Sequence, residues 1–203
     1  MNAEEIFRSF PQTTETLVEL RSQNRDAYRG TMNALASRRK LRPVFLEKKT
    51  GPERHAWMVA ELAKHSNADL AIEVLFGWLM KCRAPMIKTF LDTLGIEHDG
   101  AGIIASLPPE PARMKLSAAV EVLLASNPAW VVAIYLNLFC EMDIAKWPHL
   151  HELVATDFRL QPPKKDDVES KETASEASIS TETESATVRI HAHTDTPDSE
   201  TSQ

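Results

Sequence analysis

Two windows of this chain contain almost no polar residues, and each opens on an asparagine. The first runs from Asn67 to Cys82 and carries Leu70, Ala71, Ile72, Val74, Leu75, Phe76, Trp78, Leu79 and Met80. The second follows Asn127-Pro128 to Met142 and is nearly as apolar. A helix that is apolar all round has to be buried on most sides, so these two windows set the centre of whatever fold the chain adopts. Neither crosses a bilayer, because the longest apolar stretch, Pro128 to Cys140, is interrupted by Asn137 and falls short of roughly 20 residues.

The segments around them read with helical period, and the breaks fall at proline, glycine or asparagine. With Leu17 at zero and 100° per residue, Leu17, Leu20, Ala27, Tyr28, Thr31, Met32 and Leu35 share one sector, and Glu15, Glu19, Asp26 and Ser37 lie opposite. This pattern predicts one long amphipathic helix from near Thr14 to Arg39. Thr50-Gly51-Pro52-Glu53 is a capping box for a helix reaching about His65. Asn67 is placed to cap the next helix, Pro85 to open another, and Gly95 to end that one in a left-handed conformation. After a glycine-containing connector and Pro108-Pro109, helices are expected from about Ala112 to Ala125, across the second apolar window, and briefly after Trp147-Pro148. Val44-Phe45-Leu46 is too short for a strand and reads as a loop.

The expected architecture is therefore all-α: one helical domain over residues 1–160, of about six to eight helices built from packed αα-hairpins. At an offset of 62, Leu62, Ala63, Ala71, Ile72 and Val74 match Leu124, Ala125, Ala133, Ile134 and Leu136, the signature of a degenerate helix-pair repeat or of shared composition. Residues 161–203 differ in kind. They hold fourteen Ser and Thr, ten acidic residues, four basic ones and no aromatic, and so carry the whole formal charge of −6. Such a segment lacks the apolar surface to offset its ordering entropy and is expected to be a disordered acidic tail.

With the tail set aside, the body is neutral but polarised, since residues 1–50 carry ten basic residues against six acidic. The basic candidates are Arg21, Arg25 and Arg29 at four-residue spacing, then Arg38, Arg39, Lys40 and Arg42. A stripe of this kind suits the phosphates of a polyanion or an acidic protein surface, whereas ion pairs with Glu15, Glu19 and Asp26 would neutralise it within the chain. The acidic tail could also fold back on it and weaken polyanion binding at low salt.

The run Glu97-His98-Asp99 among Gly95, Gly100 and Gly102 brings an acid, an imidazole and a second acid together. Consecutive residues rarely converge on one centre, and the spacing fits no calcium loop, zinc helix or phosphate-binding loop, so a capped helix end with a tight turn is the simpler reading. His149 and His151 face apart on a helix, and His191 and His193 could chelate only weakly. Cys82 and Cys140 lie in apolar runs and read as free, buried thiols.

Together these features point to a helical protein-interaction module, an adaptor or scaffold, without cofactor or metal and with no convergent catalytic set. Its expected partner is another protein or a second copy of the chain. A nucleic-acid-associated protein using the basic flank is the second reading, and an enzyme centred on Glu97–Asp99 is the third. Met1 to Phe10 lacks a secretory-type basic and apolar pattern, so the chain is expected in the cytoplasm, away from membranes.

Overall fold

In the computed structural model, residues 1–100, 102–104, 106–142 and 146–163 are described. Among them the chain forms ten α-helices and no strand. They are α1 (Ala3–Ser9), α2 (Thr13–Gln23), α3 (Arg25–Arg38), α4 (Pro43–Glu47), α5 (Gly51–Leu62), α6 (Ala68–Cys82), α7 (Ala84–Leu94), α8 (Arg113–Ser126), α9 (Ala129–Met142) and α10 (Pro148–Thr156). The class is the expected one. The count exceeds the expected six to eight for three local reasons.

The long first helix is two helices. At Asn24 the backbone leaves the helical region, with φ −144° and ψ 77°. Its side-chain oxygen accepts the Ala27 amide at 3.1 Å, while its own amide still donates to the Leu20 carbonyl at 2.7 Å. One asparagine thus closes α2 and caps α3, using the short polar side chain that competes with helix continuation. The apolar sector survives the break, since Leu17, Leu20, Tyr28, Thr31, Met32 and Leu35 are all buried.

The second addition is α1. Asn2 and Glu5 form a reciprocal capping box, and Ala3, Ile6, Phe7 and Phe10 follow at core-facing spacing and are all buried. The third is α4, where a loop was expected. Pro43 starts the turn and Leu46, only 2% exposed, anchors it to the core.

Helices α6 and α9 occupy the centre, and α6 packs against α1, α2 and α9. All of Val131 to Leu138 in α9 are buried, so no side of that helix faces water along this stretch. Trp78 of α6 stacks on Trp130 with centroids 5.9 Å apart, and its indole N–H donates to Glu19 at 2.7 Å. Arg83 lies over the same ring and pairs with Glu19 as well. Phe90 meets Tyr135 and Phe139 edge to face, and Phe139 meets Trp147 at a tilt of 47°, continuing the aromatic core. Helix α7 also packs against α8, and α2 against α3. Gly95 ends α7 at φ 69°, as its position implied.

Asn67 does other work than the capping expected of it. Its amide donates to the Glu61 carbonyl at 2.7 Å and its oxygen accepts from Arg38, so it joins the end of α5 to the end of α3. At the far end Leu160 is fully buried and the Gln161 side chain donates to the Val154 carbonyl at 2.6 Å. The expected tail therefore begins with a residue that still holds α10. Residues 164–203, including His191 and His193, lie outside the described residues.

Candidate functional site

The seven basic residues singled out in the sequence separate into two groups. Arg38 donates to both carboxylate oxygens of Asp69, at 2.8 and 2.6 Å, and also to the Ser66 carbonyl and to Asn67. This bidentate contact holds the Asp69 carboxyl down at about 2, below its ordinary 3.8. Arg39 pairs at 3.4 Å with Glu61, a carboxylate only 5% exposed that Lys64 also contacts at 2.6 Å. Both arginines serve to fasten α3 to the ends of α5 and α6. Lys40 follows with a left-handed φ of 54° and ends the run, and Arg42 precedes Pro43 in extended backbone.

Among the described residues Arg21, Arg25 and Arg29 form no such bonds. The acids expected to neutralise them lie elsewhere, and Glu19 is held by Trp78 and Arg83. Instead the three arginines, with Arg54 of α5, Tyr28, Met32 and Glu47, line a concave pocket of about 260 Å³. Arg54 was not among the sequence candidates, because nothing in its local pattern links it to a stripe 25 residues earlier. It donates from Nε to the Tyr28 hydroxyl at 3.1 Å. Behind Tyr28, His55 stands edge-on with centroids 5.6 Å apart, and its Nε2 is buried without a partner. Burial first, then the charges of Arg21 and Arg54, push the His55 imidazole below its ordinary 6.5, so it is neutral at pH 7.

A second concavity lies between α6, α7 and α9. It has a volume of about 250 Å³ and its walls are apolar almost throughout: Phe76, Leu79 and Met80 from α6, Ile87 and Leu91 from α7, Tyr135, Leu138, Phe139 and Met142 from α9, and residues 102–104 from the connector. It opens to solvent beside Phe76, Ile103 and Met142, which are 45%, 55% and 43% exposed. No sequence candidate lay here.

The connector that walls this cleft contains Glu97, His98 and Asp99. Their side chains do not converge. His98 Nδ1 accepts the Gly100 amide at 3.0 Å, which leaves the proton on Nε2, facing Asp92 of α7 at 3.0 Å. Asp99 accepts the Ile103 amide at 2.9 Å and its own amide donates to the Ile103 carbonyl, closing a small loop. Glu97 is exposed. Gly102 then passes so close to α7, at φ 93°, that a Cβ would lie 2.8 Å from Ile87. Only glycine fits there, and it presses Ile103 and Ile104 into the wall. The run therefore builds a turn and a cleft wall.

Elsewhere His149 pairs with Glu110 at 2.7 Å, and that carboxylate also accepts the Leu150 amide at the start of α10. Cys82 and Cys140 are half-buried, and burial raises the Cys82 thiol away from its reactive form. Among the described residues no group of His, Cys, Asp and Glu is arranged to hold a metal ion, and no helix is long and apolar enough to cross a membrane. Compared with known proteins, the chain matches no protein-family model, no curated protein sequence and no solved structure.

Proposed function

We propose that this chain is a helical interaction module that holds the apolar face of an amphipathic helix from a partner protein in the cleft between α6, α7 and α9. The apolar cleft, opening to solvent beside Phe76, Ile103 and Met142, carries the reading. Its walls supply almost no hydrogen-bonding groups, so an extended peptide entering it would leave backbone amides and carbonyls unsatisfied. A helix satisfies its own backbone and needs only apolar side chains at one-turn spacing, which is what such a groove accommodates. Met80 and Met142 on the walls suit this role, because thioether side chains adjust to the shape of what they contact. Exposed apolar side chains gathered at one opening, rather than scattered singly, are the usual mark of a contact surface.

The test uses a photo-crosslinking amino acid at Ile103 in the full chain, with the adducts mapped by mass spectrometry. The expected adduct is a segment of a different protein with apolar residues spaced by three and four, and it disappears in Phe76→Asp while the thermal melt is kept. Adducts only with second copies of this chain would replace the partner helix by self-association. Adducts that persist in Phe76→Asp, or none at all, would overturn the cleft as the site.

A further inference from the structure

The arginine pocket does not take part in the cleft, and its chemistry points to a different ligand. Its walls come from four helices: Arg21 near the end of α2, Arg25, Tyr28, Arg29 and Met32 from α3, Glu47 from α4 and Arg54 from α5. The break at Asn24 makes this concave rather than a stripe along one rod. Arg21 reaches the first turn of α5, where its Nη1 would lie 3.7 Å from a Cβ placed on Gly51.

Within the described residues, unpaired arginines are concentrated here. Arg8, Arg38, Arg39, Arg83, Arg113 and Arg159 each hold a carbonyl or a carboxylate. Arg21, Arg25 and Arg29 hold neither, and Arg54 is engaged only with a neutral phenol. One carboxylate, Glu47, lines the pocket, and it forms no ion pair with the four arginines around it. Four like charges gathered about one cavity repel one another, and an anion of more than one charge relieves that repulsion.

Tyr28 adds direction. Tyr28 is only 3% exposed, and its hydroxyl accepts the Arg54 Nε proton. A phenol that accepts still has its own proton to donate, and no acceptor for that proton is found among the described residues. Tyr28 and the Arg54 that holds its hydroxyl both line the pocket, so the phenol stands beside any oxyanion seated there. Guanidinium forks that meet two oxygens at once, plus a hydroxyl donor, match phosphate oxygens better than a single carboxylate.

The neighbouring residues decide between a local phosphate group and an extended nucleic-acid backbone. A polyanion tracking the whole flank needs Arg38 and Arg39, and these are held by Asp69 and Glu61. Beyond the exposed Lys40 and Arg42, what remains open is one compact concavity of about 260 Å³.

We propose that Arg21, Arg25, Arg29, Arg54 and Tyr28 form a binding site for the diphosphate group of a small phosphoanion.

The experiment titrates the full chain with sodium pyrophosphate at constant ionic strength, followed by calorimetry and by the side-chain Nε–Hε signals of the arginines. Saturable one-to-one binding is expected, shifting the signals of Arg21, Arg25, Arg29 and Arg54. Arg25→Gln with Arg29→Gln should weaken it at least about tenfold, because two charge-assisted contacts are lost. Tyr28→Phe should weaken it several-fold while the arginine charges stay in place. Arg38→Gln should leave it unchanged. Inorganic phosphate should bind at the same residues more weakly. Lack of saturation at millimolar pyrophosphate would overturn the site. So would equal loss of binding in Arg38→Gln, which would mark a diffuse charge effect. A short DNA duplex that binds more tightly than pyrophosphate, and is weakened alike by the Arg25/Arg29 and Arg38 variants, would replace the diphosphate ligand by nucleic acid. Each variant is checked by its thermal melt, and should Arg54→Gln fail to fold, the exposed Arg25 and Arg29 positions still decide the matter.

Discussion

Arg38 and Arg39 end the same helix on which Arg25 and Arg29 begin, and the two pairs have opposite fates. At the C-terminal end, α5 and α6 present Asp69, Glu61, Asn67 and the Ser66 carbonyl, and the arginines are drawn into the packing. Across from the N-terminal end stand two more arginines, Arg21 and Arg54, and a single glutamate, Glu47. Residue type and spacing are shared, so the difference comes from what the rest of the chain folds against each end. An arginine that fastens two helices has exchanged water for fixed acceptors. One that meets only other cations keeps its donors available to a ligand.

The strongest way to break this contrast is through stability. Arg39→Ala with Lys64→Ala leaves the Glu61 carboxylate buried without its cations, and should cost about 2 kcal/mol of unfolding free energy in urea. Arg25→Ala with Arg29→Ala should change it by less than about 0.5 kcal/mol, because neither side chain holds a partner. Equal losses in the two double variants would show that the N-terminal arginines are structural after all.

How far the sequence foretells this contrast depends on the distance over which each interaction acts. Caps and turns are local, so the Thr50–Glu53 box and the Gly95 stop are written in four or five consecutive residues and appear where expected. The same grammar was present in Asn2-x-x-Glu5 ahead of Ile6, Phe7 and Phe10, and it announces α1 to a reader who looks for it. Asn24 was harder, because its side chain ends one helix and begins the next without disturbing the apolar period on either side. Pairing is not local. Asp69 lies 31 residues from Arg38, and no spacing rule brings it there rather than to Arg25. The cleft was hidden for a similar reason. Phe76 lies in a helix apolar on nearly every side, where periodicity cannot tell which residue is left uncovered, and Ile103 sits beyond a glycine turn that reads only as a helix end.

A second test sharpens the contrast through titration. Asp69 is ionised with its folded value held below the unfolded one by Arg38, so its pairing stabilises the fold above about pH 4 and that contribution disappears as pH falls through about 2. In Arg38→Gln the Asp69 carboxyl resonance should titrate above about 2, moving toward 3.8, while the Leu70 amide still holds it partly down. An unchanged midpoint would mean that Arg38 is not what holds the carboxylate, and the fastening role assigned to it would fail.

The smallest effect is expected at the other end, where the reporter is His55. Its folded value is depressed by burial and by Arg21 and Arg54, so the unfolded chain takes up a proton first and stability should decline as pH drops below about 6.5. Arg21→Gln removes one of the opposing charges and should raise the His55 midpoint, leaving the burial contribution in place. Pyrophosphate should act in the same direction, since an anion among the guanidinium groups offsets the charge that the imidazole feels. The two effects should also overlap, with pyrophosphate moving His55 less in Arg21→Gln than in the unmodified chain. If instead pyrophosphate moves His55 equally in both, the anion does not sit beside Arg21, and the open end of the flank is no more a site than the fastened one.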